Sequence, residues 1–196
     1  LSGDCTKCAA GTFSTASGMT SSGDCTQCGS GTYSTGSGMV AVSSCAMCAA
    51  GSFGSGNGYS SASDCSPCAA GTFQTGLGMQ SASVCRACSA GAYSTKAGAT
   101  SPTTCVLCGA GTFQTGTGLT SSGDCTLCGA GTYQTGSGLT DPSGCMLCWA
   151  GSYQTGLGAP SRGFCVACVA GTYGTGSGLA DSSSCVLCGV GTYQVI

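Results

Sequence analysis

A Cys-x-x-Cys pair recurs every twenty residues along this chain, ten times, with no insertion or deletion between copies. The pairs are Cys5/Cys8, Cys25/Cys28, Cys45/Cys48, Cys65/Cys68, Cys85/Cys88, Cys105/Cys108, Cys125/Cys128, Cys145/Cys148, Cys165/Cys168 and Cys185/Cys188. So strict a period means that one small unit is copied and that the copies meet their neighbours in the same way. The chain reads as a single tandem array over 1–196, with units at 1–20, 21–40, 41–60, 61–80, 81–100, 101–120, 121–140, 141–160, 161–180 and 181–196. Each unit is expected to touch only the one before and the one after. Function must then be something that a stack of like units can perform.

Superposing the copies exposes the other fixed positions. Glycine follows the second cysteine by three residues in all ten copies, from Gly11 to Gly191. An aromatic stands two residues further on: Phe13, Tyr33, Phe53, Phe73, Tyr93, Phe113, Tyr133, Tyr153, Tyr173 and Tyr193. A second glycine, Gly18 in the first copy, recurs in all nine complete copies. Gly131-Thr132-Tyr133-Gln134-Thr135 alternates polar and aromatic, as a short strand showing its tyrosine to one face would. Gly136-Ser137-Gly138 then makes a turn. Ala16 and Lys96 replace the first turn glycine in two copies, so positive φ is expected at the Gly18-type position and not at that one. Leu139-Thr140 is expected to start the returning strand. Each unit is thus a β-hairpin too small to stand alone, in a small disulfide-rich all-β array with no helix. Stacked as solenoid rungs, units would rise by about 4.8 Å each; laid end to end, they would make a far longer rod.

Large apolar side chains are few and glycines number 37, so no single broad core can form and covalent staples are required. Structural zinc is the rival use of these cysteines. Five four-cysteine sites would place two negative charges each in a chain with four basic residues. The even period also makes all pairs equivalent, whereas zinc clips would alternate with linkers. A thioredoxin-like role needs its motif at a helix start. Symmetry favours bonding the second cysteine of one unit to the first of the next: Cys8–Cys25, Cys28–Cys45, Cys48–Cys65, Cys68–Cys85, Cys88–Cys105, Cys108–Cys125, Cys128–Cys145, Cys148–Cys165 and Cys168–Cys185. A closed loop of about eighteen residues contributes about 3 kcal/mol in the chain-entropy model. Bridges inside each pair, or first-to-first with second-to-second bonds, remain open alternatives. The favoured scheme leaves Cys5 and Cys188 over, as thiols for flanking repeats or for the next molecule in an assembly.

The run Cys128-Gly-Ala-Gly131-Thr-Tyr133-Gln-Thr-Gly-Ser-Gly138 with Cys145-x-x-Cys148 resembles the cysteine-rich repeats of the ephrin-receptor-like type. These are related in character to EGF-like and tumour-necrosis-factor-receptor modules. The resemblance recurs along the whole chain and implies an extracellular, disulfide-linked β-hairpin array whose bridge encloses the Gly-x-aromatic strand. Proline often follows the second cysteine in that family; here Ala9, Gly29, Trp149 or Val169 stands there. Long uninterrupted arrays of this kind also resemble mastigoneme-like surface and fibre proteins of algae and protists.

Composition narrows function. Six Asp, four Lys or Arg and no His give a net charge of −2, with no basic patch for nucleic acid or an anionic membrane. No apolar run is long enough to span a bilayer, and no signal peptide opens at Leu1, as expected of a processed chain or a segment of a longer one. The irregular Val195-Ile196 is expected at a terminus or fragment edge. Without His or Glu, no nucleophile–base pair can be assembled, so neither catalytic residues nor a cofactor are expected. Asp4, Asp24, Asp64, Asp124, Asp141 and Asp181 stand singly, as solvated loop residues and not as a calcium site. An extracellular rod or fibril protomer that self-associates is the leading reading. A ligand-binding or adhesive ectodomain is the alternative, with Trp149, Phe164, Arg86, Arg162, Lys7 and Lys96 as its distinctive residues and Trp149 and Phe164 expected to pack beneath a loop. Ice binding by threonine rows is disfavoured because Thr132 and Thr135 point to opposite faces. Ser and Thr total 56 residues in this charge-poor chain, so O-linked glycans are expected on Thr12, Thr32, Thr72, Thr112, Thr132 and Thr172 or in the Ser-rich segments. Hydrogen bonding of those hydroxyls to backbone is the competing use. The lone Asn57 precedes Gly58-Tyr59 and is no N-glycosylation acceptor.

Overall fold

The structure, a computed structural model, describes residues 5–193. The expectations placed on Asp4 and on Val195-Ile196 lie outside the described residues. The chain divides into two compact units, one of Leu1–Ala87 with Thr95–Thr104 and one of Cys88–Ser94 with Cys105–Ile196.

In both, the local logic starts at the glycine three residues past the buried cysteine. Gly131 has φ +78°, and the Thr132 amide and hydroxyl both donate to the Gly129 carbonyl, at 3.2 and 2.6 Å. Positive φ at the third residue of such a turn is the type II requirement, which glycine meets without steric cost. The turn launches the two-residue strand Thr132–Tyr133. Its antiparallel partner is Met146–Leu147, inside the next Cys-x-x-Cys, and not Leu139-Thr140 as the sequence suggests. Leu139 instead lies alongside Phe113 of the preceding copy in a parallel bridge. The ladder therefore straddles the boundary between copies rather than closing a hairpin inside one.

The first unit contains four such ladders: Thr12–Phe13 with Thr26–Gln27, Thr32–Tyr33 with Ala46–Met47, Ser52–Phe53 with Ser66–Pro67, and Thr72–Phe73 with Arg86–Ala87. The second contains five, running from Ala92–Tyr93 with Val106–Leu107 to Thr172–Tyr173 with Val186–Leu187. The expectation of no helix needs one correction. A three-residue 3₁₀ turn precedes each first cysteine from Cys25 to Cys185, and among the described residues no longer helix occurs. Capping chemistry supports it in several copies, although the turns after Ala41 and Ser161 form without a side-chain cap. The Ser121 hydroxyl accepts the Gly123 amide while the Asp124 carboxylate accepts the Ser121 and Thr120 amides, and the same box recurs at Ser21/Asp24 and Ser61/Asp64.

Burial is concentrated in sulfur and small side chains. Cys28, Cys48, Cys68, Cys108, Cys128 and Cys148 are fully buried, beside Ala92, Ala99, Ala159, Ser94 and Ser152. The repeated aromatics are half-buried, except Tyr173 and Tyr193, which are exposed. Here the disulfides are themselves the interior, as a unit this small requires.

Candidate functional site: the disulfide-stapled seam

Nine disulfides join consecutive copies: Cys8–Cys25, Cys28–Cys45, Cys48–Cys65, Cys68–Cys85, Cys88–Cys105, Cys108–Cys125, Cys128–Cys145, Cys148–Cys165 and Cys168–Cys185. Each spans 17 residues with its Cα atoms 5.7–5.8 Å apart, inside the normal disulfide range. Each loop encloses one glycine–aromatic strand. Cys5, exposed, and Cys188, half-buried, keep free thiols.

Backbone hydrogen bonds carry the seam beyond the staple. Gly158 N–H donates to the Cys128 carbonyl at 2.8 Å, Cys148 N–H to the Gly131 carbonyl at 2.9 Å, and Gln134 N–H to the Ala159 carbonyl at 3.0 Å. All three recur at twenty-residue intervals within each unit. The expected restriction of contact to adjacent copies does not hold. Gly111 sits so close to Gly158, two copies on, that a Cβ at 111 would lie 2.6 Å from the Gly158 carbonyl carbon. Gly11 meets Gly58, Gly31 meets Gly78, Gly51 meets Gly98, Gly91 meets Gly138 and Gly131 meets Gly178 in the same way. Both glycines of each pair have positive φ, from +66° to +82°, so backbone conformation disfavours a side chain at both, and the facing backbone also excludes one at the first. The turn glycines before them, Gly36 and Gly136 among them, lack positive φ, as the Ala16 and Lys96 substitutions predict.

Within each unit the second residue inside a Cys-x-x-Cys covers the Gly18-type turn of the next copy. Lys7 lies over Gly38, Met47 over Gly78, Leu107 over Gly138, Leu127 over Gly158 and Leu147 over Gly178. The outer surface of this ladder varies freely. It is polar at Thr26–Gln27, and apolar and exposed at Val106, Leu107, Met146, Leu147, Val186 and Leu187.

Sequence reasoning missed one buried polar element. Gln74, Gln134 and Gln154 are buried, and their side-chain oxygens accept the amides of Gly51, Gly111 and Gly131 at 3.0, 3.0 and 3.2 Å. Gln134 is thus an inward group, not the solvent face of an alternating strand. The signal was present: glutamine recurs directly after the aromatic at 74, 114, 134 and 154. Gln114 turns elsewhere, donating from Nε2 to the Asp124 carbonyl.

The six threonines singled out for glycosylation share one geometry. Thr12, Thr32, Thr72, Thr112, Thr132 and Thr172 each donate the hydroxyl proton to the carbonyl three residues back, at 2.6–2.7 Å. All are buried or half-buried. The described aspartates are turn caps rather than merely solvated. Hydrogen bonds from the Ser21 and Thr20 amides hold the Asp24 carboxyl below its usual range. Ser143 does this for Asp141, through its hydroxyl and amide, and Ser183 for Asp181, through its amide and hydroxyl. Among the described residues no group of three or more Cys, Asp, Glu or His could hold a metal ion.

Trp149 and Phe164 do not pack beneath a loop. They are 38% and 53% exposed, and the Arg162 guanidinium lies 4.5 Å above the Trp149 ring. Indole and guanidinium cover each other there, which leaves both at the surface. No helix among the described residues is long and apolar enough to cross a membrane.

Residues 56–105 match the family described as tyrosine-protein kinase ephrin type A/B receptor-like. No curated protein matches the chain. Nine disulfides in one chain, beside a receptor-like match, point to an oxidising, extracellular or cell-surface setting. The matched segment contains the bridges Cys68–Cys85 and Cys88–Cys105, the same staple recurs at twenty-residue spacing along the chain, and the protein is a cysteine-rich, disulfide-bonded tandem repeat whose residues 56–105 are similar to the ephrin-receptor-like type.

Proposed function

We propose that the protein is an extracellular structural element, a disulfide-stapled stack that serves as filament protomer or stalk and acts through its shape, not through catalysis. The observation that carries this reading is the recurrence of one interface. Within each unit the same 17-residue staple, the same three amide–carbonyl bonds and the same glycine-to-glycine approach recur from copy to copy. A repeated contact of one kind propagates in one direction. Negative-stain images of the isolated chain test it: elongated particles of constant width are expected, and compact globules overturn it.

O-linked glycans belong to the same proposal, placed on the exposed hydroxyls of the segments ahead of each cysteine pair, such as Ser22, Ser122 and Ser182. The tied, part-buried threonine hydroxyls are the poorer acceptors. Intact mass before and after chemical deglycosylation decides between them, and an unmodified mass removes the glycans from the account. One observation favours a second reading, a binding module: the exposed Trp149–Arg162 pair beside Phe164 breaks the repeat and presents an apolar, cationic spot. Loss of cell-surface or matrix adhesion in Trp149→Ala with an unchanged particle shape would support that reading.

A further inference from the structure

The residue just before the strict turn glycine varies from copy to copy. Serine occupies it in four copies, as at Ser17 and Ser137, and leucine in two, while the third copy has Asn57, the one asparagine of the chain. No described residue other than glycine has positive φ, so backbone conformation does not call for asparagine there. Chemistry sets Asn57 apart. Its carboxamide carbon is one five-membered ring closure away from the next backbone nitrogen, and Gly58 has no side chain to hinder that closure.

The fold holds that nitrogen elsewhere. Gly58 N–H donates to the Cys28 carbonyl at 2.8 Å. On its other side Gly58 abuts Gly11, where a Cβ would lie 2.8 Å from the Gly58 carbonyl carbon. The neighbours are tied as well. Gly56 N–H donates to the Tyr59 hydroxyl oxygen at 3.0 Å, and Ser34 N–H to the Tyr59 carbonyl at 3.0 Å. The Gln27 side chain lies over Gly58, whereas Asn57 itself is exposed. A water-exposed carboxamide therefore stands beside an amide that the seam holds on both sides of its Cα.

We propose that Asn57 is a self-modification site governed by the seam. While Gly58 stays bonded to Cys28, its nitrogen is kept off the Asn57 carboxamide, and opening of that joint releases it. The Gly58 nitrogen then bonds to Asn57 Cγ, the Cγ–Nδ2 bond breaks, and the Gly58 amide proton leaves with Nδ2 as ammonia. Water opens the resulting succinimide. Cleavage at Cγ gives aspartate, and cleavage at the main-chain carbonyl gives isoaspartate, whose backbone runs through the former side chain. Isoaspartate lengthens the backbone by one carbon where Gly58 must meet both Cys28 and Gly11, so the joint does not re-form. A transient local opening is thereby recorded as a permanent one.

The test incubates the whole chain in mildly alkaline buffer. Conversion at Asn57 is followed by peptide mass and by fragmentation that separates isoaspartate from aspartate, and Gly58 amide exchange is followed by NMR on the same sample. Conversion should be at least about ten-fold slower in the folded chain than in the reduced and alkylated chain. Gly11→Ala, which crowds the Gly58 carbonyl, should raise conversion and Gly58 exchange together, by about three-fold or more. Sub-denaturing urea on the unaltered chain makes the same comparison without a substitution, and the two rates should again rise in proportion. Asn57→Ser, the residue of four other copies, should abolish the product and leave the melt unchanged. Equal conversion in folded and reduced chains, conversion that does not follow Gly58 exchange, or an isoaspartate form whose Gly58 amide stays protected would each overturn the proposal. So would a destabilised Asn57→Ser, which would make Asn57 part of the fold.

Discussion

At Gly111 a Cβ would lie 2.6 Å from the Gly158 carbonyl carbon, whereas at Gly109, two residues earlier, it would meet nothing within 4 Å. The two glycines look alike in the sequence and stand in opposite regions. One lies on the inner seam, where backbone of one copy abuts backbone two copies on. The other lies on the outer shoulder, where alanine or tryptophan already replaces it in other copies. The inner seam is held to one residue type because backbone atoms fill the space and cannot move aside. The outer ladder drifts from Thr26–Gln27 to Met146–Leu147 because its side chains face water. A repeat of this kind separates what it must keep, hydrogen-bonded backbone and sulfur, from what it may vary.

The comparison breaks most sharply at Gly111. Gly111→Ala combines positive φ with a backbone clash and should cost about 3–5 kcal/mol, while Gly109→Ala should stay within about 0.5 kcal/mol. Denaturant melting of both variants checks this, and equal effects would remove the seam from the account. Replacing Cys128 and Cys145 together by Ser should cost about 3 kcal/mol. The opening should be local, seen as amide exchange confined to 128–145 and the residues bonded to it. Gln134→Ala should cost about 1–2 kcal/mol, because the Gly111 amide keeps its backbone acceptor at 2.8 Å and loses only the side-chain oxygen. Met146→Thr, at an exposed ladder position that covers no turn glycine, should change stability least among the substitutions, by less than about 0.5 kcal/mol.

The smallest effect is that of pH. Asp24, Asp141 and Asp181 are held below their usual range in the folded chain. Their contribution is therefore present above the unfolded carboxylate value of about 4 and is lost as pH falls through the folded values. A thermal melt should show a small decline below about pH 4 and none between pH 5 and 8, which Asp24→Asn, Asp141→Asn and Asp181→Asn together reduce.

Much of this was legible in the residues, for particular reasons. Ala16 and Lys96 reveal which turn glycine tolerates a side chain, and so point to Gly18 and its equivalents as the strict ones. The even cysteine period implies a small all-β disulfide array because no other core material is on hand. Other features left no such mark. The Gly111–Gly158 approach joins residues 47 apart through a carbonyl oxygen and a Cα, so no side-chain pattern records it. The returning strand hides inside Cys-x-x-Cys, where Ser66–Pro67 and Arg86–Ala87 show neither alternation nor β-branching. Trp149 is expected to pack beneath a loop, yet Arg162 gives its ring a partner at the surface.

The central claim is that sulfur bridges tie each copy to the next, and cleavage after the aromatic residues tests it directly. Every aromatic from Phe13 to Tyr173 lies within a loop closed by one of the nine bridges. Cut there in denaturant without reductant, the cysteine-bearing fragments should remain one covalently connected species, with only the cysteine-free peptides 54–59, 150–153, 154–164 and 194–196 set free, and should separate when reductant is added. Release of separate cysteine-bearing peptides before reduction, as bonds within each Cys-x-x-Cys or metal clips would allow, would contradict it.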